Sequence, residues 1–438
     1  MPISCLPPEV LARVFASLAK VARPEVPFAY VLALAPGGPS PDLGWILVTH
    51  VCRQWRQVAI HHSTLWSDVA VDLGPDWVEE KFRRARGAHL TIDDSLVWCR
   101  PKYDTLRLHR LIFSNFRRIK NATVNLPSDD YGAPSLRDWL STPVPYLQSL
   151  SICAKNTVDL PADFLGERAP QLRCLILENF ARFPWKSGVF HGLVHLKLSR
   201  CPAVSAGDCE DVLDTLEHMP ALEYLDLDGL VPSHAHPSPS EDARVITLPH
   251  LADVKLYGDS SDCLALLRHC ALPSLAKIRV MLRHGAVGPD GDLPAFLDIL
   301  RDFSRTSVSF DLTVVKLFIG MSWGKMGGAH SSLQVQGWRA ASVKAEDVFP
   351  DVHLVFCWPR QLDGAAAMVS AICDQFCTED LKELTLDEDL RQSNPPERRV
   401  WTSESWRTNL ARAVNLRNVD AHGPTRAALR EPLAMLNA

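Results

Sequence analysis

Two histidines in VPSHAHPSPS, His234 and His236, could hold a metal as a pair, and they are the first residues to weigh as chemistry. A protein metal site needs three or four ligands, and no cysteine or carboxylate cluster accompanies these two in their Pro- and Ser-rich loop, so no metal is expected. GKMGG at Gly324 to Gly328 is glycine-rich but does not complete the G-x-x-x-x-G-K-[ST] pattern that cradles phosphate, and it reads as a turn. The acidic LDEDL at Leu386 to Leu390 reads as a repeat edge, and His61 with His62 as a solvated helix end. There is no G-x-S-x-G elbow and no H-E-x-x-H helix. No nucleophile, base and oxyanion donor come together, which predicts binding rather than catalysis, without a cofactor.

Composition narrows the partners. The chain has 438 residues, 47% hydrophobic and 22% charged, with a net charge of −5 and a pI near 6.3. That balance draws it neither to a phosphate backbone nor to an anionic membrane. No apolar run approaches the roughly 20 residues that span a bilayer, and no signal peptide is read at the N-terminus. The expected compartment is cytoplasmic and/or nuclear, where the twelve cysteines stay reduced. Cys373 and Cys377 are then buried structural thiols, and the sequon at Asn121 goes unused.

Short helices come first along the chain. In LPPEVLARVFASL, Val10, Leu11, Val14, Phe15 and Leu18 share one helical stripe. Pro7 and Pro8 suit a helix start, and Glu9 favours its positive end. After a Pro- and Gly-rich loop, Trp45, Val48, Val51, Cys52, Trp55, Val58 and Ala59 give a second helical pattern, broken near His50. A module of some seventy residues with this much apolar surface on short helices depends on a partner.

LPPEVLARVFASL followed by VCRQWRQVA and then Leu65-Trp66 resembles an F-box, the three-helix module that docks onto a Skp-type adaptor of cullin-RING ubiquitin ligases. The matching positions are Leu6, Pro7, Glu9, Leu11, Phe15 and Leu18, then Val51, Cys52, Trp55 and Ala59. The resemblance implies an adaptor-binding set of these residues together with Val10, Val14, Val48 and Trp66, in which Leu11, Phe15 and Trp55 are interface anchors; the alternative is that these three are internal core of the module. The spacing departs from the family: Ala19 to Asp42 is an insertion, whose FAYVLALA could add a helical turn.

Beyond residue 140 one phrase returns as YLQSLSI, QLRCLIL, GLVHLKL, ALEYLDL, HLADVKL and SLAKIRV, and later as LKELTLD and NLRNVDA. The first leucines of the first six copies are Leu147, Leu172, Leu193, Leu222, Leu251 and Leu275, each 21 to 29 residues after the last, within or close to the leucine-rich-repeat period. Alternation at the end of each phrase predicts a short strand with one buried face, and stacking buries that face. DVLDTLEHMP and DCLALLRHC supply helical return paths, and Cys201 falls where such repeats tie a turn's backbone. From about 285 to 375 the pattern degenerates, with SFDLTVVKLFIG, SLQVQGW and DVHLVFCW as strands and LPAFLDILRDF and GAAAMVSAICDQF as helices. DWVEEKFRRARGAHL predicts a helix leading to a strand, and RRIKNATVNL another strand. KFRRAR is read as a solvated helix face in preference to a nuclear-import signal.

The expected fold is α/β with an all-α N-terminal module: a small three-helix F-box at 1–70, a linker with first irregular units at 71–142, and an irregular leucine-rich-repeat solenoid with a curved parallel sheet at 143–438. This layout resembles the F-box and leucine-rich-repeat proteins numerous in mushroom-forming fungi. The resemblance implies the substrate receptor of a Skp-cullin-F-box ligase, with an unknown protein substrate, no nucleic acid and no membrane. The alternatives are a non-ligase scaffold for protein-protein interaction and an enzyme whose site is assembled from scattered residues. In such repeats the target-facing row would be His195, Lys197, Tyr224, Asp226, Asp228, Asp253, Lys255, Tyr257, Lys277 and Arg279, with the two tyrosines at its centre.

Overall fold

In the computed structural model of the chain the described residues are 6–24, 42–94, 102–126, 133–201, 209–229, 244–259, 262–263, 266–267, 269–273, 276–282, 313–323, 331–344, 349–358, 365–376, 378–389, 401, 403–422 and 425. The chain divides into two compact units, Met1–His195 and Leu196–Ala438, and each is mixed α/β on a mostly parallel sheet.

The first unit opens with α1 (Pro8–Val21), which has proline in its first turn, Glu9 near its positive end and Lys20 in its last turn. A 3-10 helix follows at Gly44–His50, then α2 (Arg53–His61) and a 3-10 turn at Ser63–Trp66. The break expected near His50 is real, since Cys52 is extended at φ −156° and ψ 172°. FAYVLALA lies outside the described residues. The ends of the insertion nevertheless meet: the Trp45 N–H donates to the Ala22 carbonyl at 2.8 Å. Gly44 makes this closure possible, because at φ +51° a Cβ there would sit 2.5 Å from the Ala22 oxygen.

The small helices have a core of their own. Leu11, Phe15, Trp45, Ile46, Ala59, Leu65 and Trp66 are buried. Phe15 packs on Trp55 with ring centroids 5.1 Å apart, and Trp45 meets Trp66 edge-on at 4.9 Å. The Trp66 indole N–H donates to the Ala59 carbonyl at 2.8 Å, so this polar atom is satisfied where water cannot reach.

Next come β1 (Asp68–Ala70), α3 (Pro75–Ala85), β2 (Leu90–Asp93), α4 (Lys102–Ser114), β3 (Ile119–Leu126), α5 (Ala133–Leu140), β4 (Ser149–Asp159) and β5 (Cys174–Ala181). The five strands lie side by side in chain order, all parallel. Residues 71–142 therefore extend the same sheet that carries the repeats. The KFRRAR reading is corrected in part: Arg83 and Arg86 are exposed as expected, but Lys81 and Arg84 are not. Lys81 is 1% exposed with its ammonium donating to the Asp68 carbonyl at 3.2 Å, and the Arg84 guanidinium lies 4.2 Å over the Trp66 ring. Arg83 and Arg84 grip Glu80, and the Arg83 hydrogen bond leads in holding that carboxyl down to about 2. The helix turns this basic run partly inward, onto the module before it. Asn121 of the sequon also serves structure, donating to Thr91 Oγ1 at 3.3 Å.

The strand β6 (His195–Ser199) spans the boundary between the units. The second unit contains α6 (Cys209–Glu217), β7 (Tyr224–Asp228), β8 (Ile246–Thr247), β9 (Asp253–Gly258), β10 (Cys270–Ala271), β11 (Lys277–Leu282), β12 (Lys316–Trp323), β13 (Ser331–Trp338), α7 (Ala340–Lys344), β14 (Val352–Trp358), α8 (Ala365–Phe376), β15 (Glu383–Asp389), α9 (Ser403–Asn409) and β16 (Asn418–His422). Its main sheet runs β7-β9-β11-β14-β13-β12-β15-β16, with β8 and β10 as a separate pair. All eight copies of the phrase end in a strand.

The copies also share one backbone joint. The first leucine donates its N–H to the carbonyl three residues earlier, as in Leu147 to Val144, Leu172 to Ala169, Leu222 to Met219 and Leu381 to Thr378. In several copies the residue just before the strand then offers one carbonyl to two N–H groups of the neighbouring repeat. Gln148 accepts from Arg173 and Cys174, Glu223 from Ala252 and Asp253, and Lys382 from Arg417 and Asn418. The Cys201 thiol donates to the Ser199 carbonyl at 3.3 Å, the backbone tie expected of it.

One expectation of the sheet is overturned. Between β11 and β15 the strands are not a stack of parallel units, because β13 is antiparallel to both β12 and β14 and the spatial order inverts. The stretch from Trp323 to Ser331 is too short for the crossover a parallel pair requires, so the chain turns back on itself. The helix expected at LPAFLDILRDF, Leu275, Cys377 and the phrases around His234 and Gly324 lie outside the described residues. Among the described residues no helix is long and apolar enough to cross a membrane.

The alternation sets a test. Leu177 is fully buried and its neighbour Glu178 half-buried on the opposite face of β5. In urea unfolding, Leu177→Ala should cost about 2–5 kcal/mol, and Glu178→Ala well under half of that.

Candidate functional site

Two surfaces collect the residues singled out from the sequence. The first is the outer side of the helical module. Leu11, Phe15, Val48, Ala59 and Trp66 belong to its buried core, so for Leu11 and Phe15 the internal-core alternative holds in the closed module and the anchor expectation does not. A side chain without exposed surface cannot meet a partner while the module stays closed. Leu6, Leu18 and Trp55 are half-buried, and Pro7, Glu9, Val10, Val14, Val51 and Cys52 are exposed.

What remains outside is apolar. Val10 and Val14 are 41% and 45% exposed, and Leu47 and Val51 are 53% and 60% exposed. Gln54 donates from Nε2 to the Leu6 carbonyl at 3.4 Å, which brings the start of α2 to the start of α1. Val10 and Val51 therefore lie toward the same end of the module. The stripe is wider than the contact it makes, so one edge of it is core and the other faces solvent. Leu47 was missing from the sequence-based set, because its helical pattern assumed an α-helix where the chain is 3-10.

The second surface is one face of the sheet in the second unit. Lys197, Tyr224, Asp228, Asp253, Lys255, Tyr257, Lys277 and Arg279 are half-buried, and Asp226 is buried at 5% exposure. His195 is half-buried in the first unit. Pairing puts the residues in rungs: Tyr224 beside Asp253 beside Lys277, Asp226 beside Lys255 beside Arg279, and Asp228 beside Tyr257 beside Met281. The middle rung continues through His353, Gln336 and Phe318.

These side chains hold one another. Lys255 donates to the Tyr224 hydroxyl at 2.7 Å and lies 4.7 Å over its ring. That hydroxyl donates to Asp226 Oδ2 at 3.0 Å, and Lys197 approaches the same oxygen at 3.8 Å. Arg279 bonds Asp253 at 3.2 Å and also faces the ring of Phe349 at 5.5 Å. Phe349, 59% exposed, and His353, which meets Gln334 at 2.9 Å, enlarge the face beyond the residues expected from sequence. Nothing in the sequence shows that β14 pairs with β11.

Burial dominates the electrostatics. It pushes the Tyr224 phenol well up, assisted by Asp226, and pushes Tyr257 up in the same way. Burial also raises the Asp226 carboxyl despite Lys197 and the Tyr224 hydrogen bond. It lowers Lys255, with Arg279 adding to the effect, and lowers His353. The face thus presents protonated phenols, rings and mutually held charges, a surface suited to hydrogen bonding and stacking. Among the described residues no group of three or more His, Cys, Asp or Glu is placed to hold a metal ion.

No protein-family model matches the chain, and no curated protein matches it.

Because the folded carboxyl of Asp226 binds its proton more tightly than the unfolded one, stability contributed by that proton is present at low pH. It is lost as pH rises from about 4 through the raised folded value. Asp226→Asn should therefore leave stability at pH 7 within about 1 kcal/mol of the parent or increase it, and flatten the fall above pH 4 in thermal melts. A loss well beyond that at pH 7 would show that the ionised carboxylate holds the rungs together.

Proposed function

We propose that the chain is the substrate-recognition subunit of a Skp-cullin-F-box ubiquitin ligase. The helical module acts as the F-box and docks a Skp-type adaptor, and the sheet of the second unit acts as an irregular leucine-rich-repeat solenoid that binds a target protein. No catalytic step is assigned to the chain. Its contribution is proximity: holding a target in the same particle as the ubiquitin donor makes their encounter intramolecular.

The observation that carries this reading is the division of the apolar stripe. A module whose core is already closed by Phe15, Trp45 and Trp66 still exposes Val10, Val14, Leu47 and Val51. Exposed apolar residues grouped on one small module mark a partner surface. The resemblance of the stretch to an F-box supplies the partner's identity, and the joined ends of the insertion supply the compact packing that docking needs. For the target, rungs that carry Tyr224, Tyr257 and Arg279 beside the exposed Phe349 supply residue types enriched at protein interfaces.

The test uses the full chain and a Skp-type adaptor. The double variant Val10→Glu with Val14→Glu should keep the parent's circular dichroism and bind the adaptor at least about tenfold more weakly. Phe15→Ala should instead destabilise the module itself by about 3–5 kcal/mol. Adaptor binding should also slow alkylation of the exposed Cys52 while leaving the buried Cys263 unreactive, since burial raises that thiol to about 12. No binding by the parent chain, or full binding by the glutamate variant, would defeat the adaptor reading.

A further inference from the structure

We infer that the turns entering strands β2 to β5 form a docking surface for a short acidic segment of a protein partner. These strands are parallel and adjacent in chain order, so the segments that lead into Leu90, Ile119, Ser149 and Cys174 lie side by side at one end of the sheet. Hydrogen bonds join them in turn. The Arg118 guanidinium donates to the Ala88 carbonyl at 3.3 Å, the Gln148 N–H to the Lys120 carbonyl at 2.7 Å, and Gln148 Nε2 to Gln171 Oε1 at 3.4 Å. The rings of His89 and Tyr146, 4.3 Å apart, link the first of these segments to the third.

The charge at this end has one sign. Residues 85–91, 115–122, 143–149 and 170–174 contain no Asp or Glu. They carry Arg86, Arg117 and Lys120, all exposed, and among the described residues no carboxylate pairs with any of the three. Arg173 is a further exposed cation. Its guanidinium donates to the Leu172 and Gly192 carbonyls, which are uncharged and leave its charge in place. The acids of α3, Asp76, Glu79 and Glu80, all precede Lys81 and are engaged by Arg107, Arg83 and Arg84. The opposite ends of the strands lead to Asp93, Asp94 and Asp159, so the positive charge belongs to the entry turns and not to the unit as a whole.

Length and charge select the partner. Neighbouring strands are about 4.8 Å apart, so the entry turns of β2 to β5 extend over about 14 Å, the span of about four extended residues. A chain of net charge −5 repels a long polyanion such as nucleic acid, whereas a short run of carboxylates senses chiefly the cations within a Debye length of it. Tyr146, 44% exposed, places among these cations a ring of the type enriched at protein interfaces. None of these residues is used for the proposed adaptor or target surface, so the inference stands or falls independently of them.

Fluorescence anisotropy of the full chain at low salt, with hexa-glutamate and hexa-glutamine peptides carrying a neutral fluorophore and with a labelled short oligodeoxythymidine, tests this inference. Hexa-glutamate should bind saturably and hexa-glutamine should not. The triple variant Arg86→Gln, Arg117→Gln and Lys120→Gln, checked for native circular dichroism, should bind hexa-glutamate at least about tenfold more weakly. A control with the same net charge, Lys155→Gln, Lys382→Gln and Arg417→Gln at exposed positions elsewhere, should keep the parent's affinity. The inference is overturned if hexa-glutamate does not bind at millimolar concentration, if hexa-glutamine binds as tightly, if the triple variant keeps the parent's affinity, or if the control loses as much. Tighter binding of the oligodeoxythymidine would overturn it in favour of a nucleic-acid surface.

Discussion

The shared carbonyl just before several of the repeated strands is the joint on which the rest depends. A parallel strand cannot satisfy its own N–H groups, and buried backbone donors left unpaired are costly. In these repeats the Gln148, Glu223 and Lys382 carbonyls each take two N–H groups from the next copy, which sets where that copy begins. Register follows, and register puts Asp226, Lys255 and Arg279 on one rung. A slip of one residue would send every one of them to the core face and bring out Leu225, Val254 and Ile278 instead. The leucine side chains behind the joint supply the hydrophobic stabilisation, while the joint selects which face is polar.

The helical module meets a different constraint, because a long insertion divides its two halves. Loop closure grows only slowly with length, and the structure keeps the ends together through Ala22, Gly44 and Trp45. Trp66 then ties the module forward to α3 through the Arg84 guanidinium over its ring. With the inner edge of α1 committed in this way, its outer edge stays exposed at Val10 and Val14. That surplus of apolar surface is the physical basis for reading the module as a docking element.

Much of this was legible from residue patterns. Period-two alternation after each leucine located all the repeated strands, and the helical periodicities located α1 and α2 with the break between them. Three features were not legible, each for a tertiary reason. An amphipathic stripe identifies apolar positions without saying which edge finds a neighbour, so Leu11 and Phe15 were expected at an interface and lie in the core. A basic run on a helix looks solvated until another element covers it, as happens to Lys81. The inversion around β13 depends on a sheet order that places β14 beside β11, and that long-range pairing also brings Phe349 and His353 to the polar face.

Side-chain footprinting of the chain alone and with a Skp-type adaptor, read out residue by residue, is the most direct test of the central claim. The account predicts that Val10, Val14, Leu47 and Val51 are labelled in the free chain and shielded in the complex, while Leu11, Phe15 and Trp66 are protected in both. Shielding that falls elsewhere, with the four exposed residues labelled equally in both states, would contradict it.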